Sequence, residues 1–209
     1  MTNEIVIMEK PSWITYDDIH ELLFIAHASN REEAGFHVMT AEMTGERLEK
    51  RIGTDGKTFV ALDGERLVGT ASYRIIYRRF WCLEASFVER TLIAIHPDYQ
   101  GKHISPLLLQ SVFNDVKAKG YKYLLTETAE ANTIVRKICT KEGGRHIDFK
   151  APRSDHYNVE IVQWLDGCPY PKWYTDFGFF YKKLKVKLKY KPGKIERFGW
   201  WSKQKRSTQ

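Results

Sequence analysis

The chain is 209 residues long and 43% hydrophobic, enough to bury a sizeable core, and one domain with an appendage is expected. Its longest clear apolar run is Leu22 to Ala26, far short of the ~18 residues that cross a bilayer, and Glu4 stands where a secretory leader needs a basic lead. No transmembrane segment is therefore expected, and a cytoplasmic location is. The net charge of +7 is lodged in residues 166–209, where 12 lysines and arginines face 3 acids, whereas the preceding 165 residues carry 21 against 23.

Thr15 suits the N-cap of a first helix, with Asp17 and Asp18 in its first turn, Ile14 and Ile19 placed as a staple, and Ile19, Leu22, Leu23 and Ala26 on one face. A second helix is expected from Thr44 to a stop at Gly53. Strands at Thr58–Leu62 and from Arg66 to about Ile76 flank an Asp63-Gly64 turn. Ser86 to Ile95 reads as a long central strand feeding Val88, Leu92, Ile93 and Ile95 into the core. A helix follows with Ser105 as N-cap, Pro106 at its first position, apolar Leu108, Val112, Phe113 and Val116, and Gly120 as its stop.

A strand at Tyr121–Thr126, a helix capped by Asn132, and a hairpin of Arg145–Lys150 with Tyr157–Trp164 complete a β/α pattern. Beyond Gly167, seven aromatic residues from Tyr170 to Tyr181 crowd around Pro169 and Pro171. Lys182 to Lys191 then alternates lysine with Leu184, Val186, Leu188 and Tyr190, which predicts a strand. Trp201 to Gln209 is expected to be mobile.

The junction between the central strand and the helix after it carries the chemistry. An apolar strand runs through a short polar loop, His96 to Lys102, into a helix start that offers backbone N–H groups and a positive dipole end to an anion. Other motifs fail on spacing. Gly53 to Thr58 ends like a phosphate-binding loop, but Arg51 stands where that motif needs glycine. No Gly-x-Ser-x-Gly elbow occurs. The histidines show no metal-ligand spacing, so no metal is expected. Cys82, Cys139 and Cys168 form neither a Cys-x-x-Cys pair nor a disulfide framework.

The stretch Ile93 to Leu109 resembles the acyl-CoA-binding signature of the GNAT superfamily of N-acyltransferases, Gln/Arg-x-x-Gly-x-Gly/Ala between strand four and helix three. Gln100 matches its first position, and His96 to Lys102 is a wording common in that superfamily. His103 and Ser105 replace the two small residues, so His103 must adopt a left-handed backbone or alter the loop. A second block, Asn132, Val135, Ile138, Cys139, Lys141 and Gly143, follows the register of the family's Asn-x-x-Ala-x-x-Leu-Tyr-x-Lys-x-Gly-Phe helix, with Cys139 in place of tyrosine and Gly144 in place of the last aromatic. The two blocks cover Thr91 to Gly144, with a looser match from Thr15 to about Leu165.

The resemblance implies an α/β fold of the GNAT kind: a mixed, mostly antiparallel twisted sheet, splayed in the middle, with helices on both faces. Residues 1–165 would form the acyltransferase domain and residues 166–209 a basic, aromatic extension packing on or next to it. Backbone N–H groups at Ile93, Ala94 and Ile95 would meet the thioester and pantetheine. Gln100, Gly101, Lys102, His103, Ile104 and Ser105 would hold the pyrophosphate, and Asn132 is counted with the cofactor residues. Glu89 stands where some members carry a general base, with Glu84 and Glu127 as rivals; the bland reading is a strand carboxylate paired with Arg90 or another base. Cys139 stands where the family often has the tyrosine that protonates the leaving thiolate, and the bland reading is a small core residue.

The expected activity is transfer of an acetyl group from acetyl-CoA to a primary amine by direct attack. The acceptor would be a small molecule, including an anionic one such as a nucleotide-linked amino sugar brought in by the basic tail. A protein acceptor and a non-catalytic CoA-binding or interaction module are the alternatives. The tail also admits a lysine-protected sheet edge or binding to a membrane surface, while nucleic acid is not expected as a partner. The sequence leaves the oligomeric state open, a dimer included.

Overall fold

The computed structural model describes residues 4–28, 43–151 and 157–190. Among these, seven strands and five helices are found, and the chain divides into two compact units, Met1–Thr126 with Trp164–Gly167 and Glu127–Gln163 with Cys168–Gln209. The strand pairings are mostly antiparallel with one parallel step, a mixed sheet architecture of the expected class.

In the first unit, β1 (Ile5–Glu9), β2 (Lys57–Asp63), β3 (Arg66–Arg79) and β4 (Glu84–Ile95) pair antiparallel in sequence order. β5 (Tyr123–Ala129) joins β4 in parallel through Val88↔Leu124, Glu89↔Leu125 and Arg90↔Thr126, where their ladder ends. Alternation along β2 sends Val60 and Leu62 to one face and Phe59 and Ala61 to the other. On the first face lie α1 (Tyr16–Ala26) and α2 (Gly45–Ile52), whose Ile19, Leu22, Leu23, Leu48 and Ile52 share a cluster with Leu92 and Ala94. On the other lies α3 (Ile104–Ala118), packing Ile104, Leu108, Val112 and Val116 against Ala71, Tyr73, Val88 and Leu124.

Local rules account for the helix ends. Thr15 and Asp18 form the reciprocal capping box, and Ile14 and Ile19 are both buried. α2 runs between Thr44 and Gly53 as expected. Asp115 anchors α3 by accepting from Tyr73 Oη, from Lys57 Nζ at 3.0 Å and from Lys119 Nζ at 3.1 Å. Burial pushes the Asp115 carboxyl up, but the hydrogen bonds from Tyr73, Lys57 and Lys119 outweigh it and hold the group below its usual range. The start of α3 differs from the sequence reading: Ile104 is its first residue, and Ser105 and Pro106 lie inside the first turn. Pro106 costs no hydrogen bond there, because first-turn N–H groups have no intrahelical acceptor.

In the second unit, β6 (Arg145–Lys150) pairs antiparallel with β7 (Asn158–Trp164) from Arg145↔Val162 to Lys150↔Asn158. α4 (Thr133–Lys141) starts at Asn132, whose Oδ1 accepts from Val135 N–H at 3.2 Å, as expected for its N-cap. The strand expected at Lys182–Lys191 is instead the end of α5 (Lys172–Lys189), and Lys191 onward lies outside the described residues together with the expected mobile end. Every second residue in that run is apolar, yet Leu184 and Leu188 also satisfy the helical i, i+4 spacing. Leucine and lysine are both good helix formers, and the helix has already been nucleated behind Pro171. Phe179 and Val186 fix α5 in a cluster with Phe149, Tyr157, Val159 and Ile161.

Candidate active site

β4 carries the first irregularity that matters. Its register with β3 passes from Ser72↔Thr91 to Thr70↔Ala94, so Leu92 and Ile93 together oppose Ala71 alone. This is a two-against-one bulge, and Leu92 takes φ 50 to make it, a rare conformation for a leucine. Leu92 is held there by burial in the cluster with α1 and α2. The carbonyl of Ile93 lies 3.2 Å from His27 Nε2 at the end of α1. The bulge confines the irregularity to Leu92 and Ile93, since Ala94 and Ile95 pair again with Thr70 and Gly69 of β3, while the ladder with β5 has already ended at Arg90↔Thr126; on that side the strand edge has backbone groups to offer a ligand.

The chain then makes a 3-10 turn, Pro97–Tyr99, and the loop into α3. Gly101 at φ 79 and His103 at φ 59 are both left-handed, so His103 adopts the conformation that the missing glycine would have taken. Histidine enters this region more readily than most residues. His103 makes no side-chain cap, and the first turn leaves the N–H groups of Ile104 and Ser105 without intrahelical acceptors. A cleft of about 290 Å³ opens over this turn, lined by Ile95, Gln100, Gly101, His103, Ile104 and Ser105 with Tyr99 and Pro106. Its donors are backbone N–H groups at a positive helix end and a serine hydroxyl, the set that suits a phosphate oxygen.

Tyr99 braces the loop and was not singled out by motif reasoning. Its hydroxyl donates to Asp63 Oδ2 at 2.5 Å, a bond that raises the phenol above its ordinary range. Cations approach its ring, Lys102 Nζ at 4.2 Å and the Arg66 guanidinium at 5.6 Å. Arg66 also lies 3.1 Å from His96 Nε2. The Asp63-Gly64 turn and the cofactor-like loop are thus one hydrogen-bonded corner with two positive charges beside the cleft. The sequence signal was present in the spacing of Asp63, Arg66 and Tyr99, but only pairing of β2, β3 and β4 makes them neighbours.

Glu89, the expected base, lies in the middle of β4. It is 3% exposed, and both of its carboxylate oxygens are engaged: Arg51 Nη2 donates to Oε1 at 3.1 Å, and Arg74 Nε to Oε2 at 2.6 Å. The strand carboxylate is thus paired with bases, Arg51 and Arg74, and the neighbouring Arg90 Nε donates to Thr126 Oγ1 at 3.0 Å. Glu84 accepts from Tyr77 Oη at 2.5 Å and pairs with Arg79 at 3.2 Å.

Within the second unit, Glu127 pairs with Lys150 at 2.7 Å and accepts from Asn158 at 3.2 Å. Lys150 also reaches Glu160 at 2.5 Å, and burial raises the Glu160 carboxyl above its ordinary range despite that cation. Cys139 is buried in the apolar cluster with Phe149, Val159 and Ile161. Among the described residues no group of three or more His, Cys, Asp and Glu side chains is arranged to hold a metal ion. No helix among them is long and apolar enough to cross a membrane.

Comparison with known proteins agrees with this geometry. The model of the Acetyltransferase (GNAT) family matches residues 16–143. Solved structures with the same fold include the ribosomal-protein-S18-alanine N-acetyltransferase of Escherichia coli, 13% identical over 80% of this chain and 97% of that one, with a TM-score of 0.60. A GNAT family acetyltransferase of Elizabethkingia anophelis with acetyl-CoA bound is 18% identical, covering 77% and 98%, with a TM-score of 0.54. An aminoglycoside 6'-N-acetyltransferase complexed with coenzyme A is 13% identical, covering 79% and 99%, with a TM-score of 0.53. No protein of curated function matches the chain in sequence. With more than half its length matched by the family model, and the strand, loop and helix of that family's signature in place, the chain belongs to the GNAT family of acetyltransferases.

Proposed function

We propose that this acetyltransferase takes its acetyl group from acetyl-CoA and passes it directly to a primary amine, with the pyrophosphate of the cofactor seated on the loop from Gln100 to Ser105. The observation that carries this reading is the left-handed pair Gly101 and His103 ahead of the uncapped start of α3, opening the cleft beside the bulged end of β4. In that seat Ile104 and Ser105 supply backbone donors, and Lys102 adds positive charge. Backbone N–H groups of Ile93–Ile95, beyond the end of the β4–β5 ladder, support the thioester oxygen as negative charge grows on it. The amine nitrogen forms a bond to the thioester carbon, the carbon–sulfur bond breaks, and the proton lost by nitrogen balances the one gained by sulfur.

Glu89 serves this site as a buried anchor for Arg51 and Arg74, not as the proton acceptor, and Cys139 serves as a packing residue of the second unit. The acceptor is a small amine, the class named for the aminoglycoside enzyme among the similar structures; the ribosomal-protein enzyme among them keeps a protein acceptor as the competing class. The reaction is placed in the cytoplasm.

The test is the melting temperature with excess acetyl-CoA, free CoA and ATP, followed by release of free thiol with a panel of amines. Ligand at ~100 times its dissociation constant adds about 2.7 kcal/mol to the folded state. A shift with both CoA forms and not with ATP, and thiol release only when an amine is present, is expected. No shift at millimolar cofactor would remove the proposed seat.

A further inference from the structure

α5 packs on its own unit with one side and leaves another side bare. Phe179 and Val186 hold the packed side in the apolar cluster, while Lys182 pairs with Asp148 at 3.3 Å and Lys183 with Glu130 at 2.6 Å. Turned away from these residues are Trp173, Phe177, Phe180, Tyr181, Leu184 and Leu188. At 3.6 residues per turn these six fall within an arc of about 100°. Each is between 48% and 74% exposed. Isolated surface apolar residues need no explanation, but a contiguous stripe of aromatic and leucine side chains over the length of a helix does.

The charges around the stripe say what covers it. By helical position Lys185 and Lys189 border it on one side and both are exposed, while Lys187 on the other side turns its ammonium to Glu130 at 3.3 Å. Neither Lys185 nor Lys189 is paired with a carboxylate among the described residues. Residues 172–189 contain six lysines against one acid, Asp176, and the sequence of residues 191–209 keeps the same bias, with Phe198, Trp200 and Trp201 among six lysines and arginines and a single glutamate.

We propose that this face of α5 docks the protein on an anionic phospholipid surface. The helix lies in the plane of the headgroups, the stripe enters the acyl boundary, and Lys185 and Lys189 meet the phosphates. A second copy of the chain fits less well, because a symmetric pairing of two such stripes sets lysine borders against each other. A nucleic acid would use the aromatic rings for stacking, but Leu184 and Leu188 give the lower half of the stripe nothing to stack on. This proposal stands apart from the acetyl-transfer reading, since it uses no residue of the cleft.

The experiment is co-sedimentation of the full chain with vesicles of phosphatidylcholine alone and of an equal mixture of phosphatidylcholine and phosphatidylglycerol. Binding to the mixed vesicles alone, weakening as salt is raised, is expected. The double variants Phe177→Gln with Leu184→Gln, and Lys185→Glu with Lys189→Glu, should each weaken it by at least about tenfold. Their melting temperatures should stay at the parent value, because the replaced side chains are exposed. Undiminished binding by both variants would move the contact to residues 191–209 and overturn the role of α5. Equal binding to neutral vesicles would overturn the charge argument. Absence of vesicle binding would overturn the proposal outright, whether light scattering then shows a dimer that Phe177→Gln with Leu184→Gln dissociates, or an oligonucleotide binds instead.

Discussion

Two guanidinium groups converge on the Glu89 carboxylate from different elements, Arg51 on α2 and Arg74 on β3, and this convergence sets what its removal does. Taking away one partner of a buried ion pair leaves the other charge uncompensated, at a cost of about 3 kcal/mol or more. Glu89→Gln should therefore lower the melting temperature and the denaturation midpoint while leaving the pH profile of kcat in place. If the variant keeps its stability and instead loses turnover in a pH-dependent way, the carboxylate is the base after all.

His103 supplies a second test at this scale. Its left-handed backbone, at φ 59, admits glycine freely and histidine at modest strain, but a β-branched side chain there is strained by about 1–2 kcal/mol. His103→Gly should retain the melting shift given by CoA, whereas His103→Val should lose stability and most of that shift. A valine variant that binds CoA as the parent does would mean the loop conformation is not what holds the cofactor. The turn from β4 into α3 was legible from its residues, because helix starts follow local rules. The partners of Glu89 were not, since Arg51 and Arg74 are 38 and 15 residues away, and only the packing of α2 and the pairing of β3 with β4 bring them in.

Caps and breakers placed most helix ends, the start of α3 excepted, where His103 and not Ser105 is the cap. Thr15, Thr44, Gly53 and Asn132 all bound helices where expected, and the hairpin of β6 and β7 fell within a residue of its predicted limits. α5 was misread because a lysine at every second position imitates a two-residue period while also satisfying a helix. The aromatic residues before it, which carry the i, i+4 spacing clearly, were treated as a separate cluster.

Gly45 at the start of α2 shows what periodicity cannot reveal. A β-carbon there would sit 2.2 Å from Asp17 Oδ1 and 2.7 Å from the Asp17 backbone nitrogen, so the two helices touch through glycine. The side-chain oxygen can swing aside, but the backbone cannot without shifting α1. Gly45→Ala should destabilise by about 1–3 kcal/mol, more than its gain in helix propensity returns, and calorimetry reads it directly. An unchanged or raised melting temperature would show that α1 and α2 separate easily.

At the scale of the whole molecule, stability becomes tied to pH through His146 on β6. Burial holds its imidazole below the ordinary range, and the Arg136 cation pushes in the same direction, with Asp176 opposing. In the unfolded chain the same ring titrates near 6.5, its ordinary value. Between that value and the lower folded one, the unfolded state binds more protons than the folded state, so stability rises with pH across this window. The contribution is complete above the unfolded pKa and is lost as pH falls through the folded one. His146→Gln removes the titrating group while keeping a polar side chain beside Arg136 and Phe179. The melting temperature of the parent should therefore fall more steeply than that of the variant from pH 7 to pH 5, and above pH 7 the two curves should run parallel. Because His146 belongs to the second unit and the cleft over the start of α3 to the first, a parent that unfolds in one transition carries the pH dependence into the stability of the cleft. A parent that unfolds in two carries it only in the transition of the second unit. Parallel curves throughout would mean that the folded imidazole takes up its proton as readily as the unfolded one, and that packing against Phe179 leaves the ring open to water.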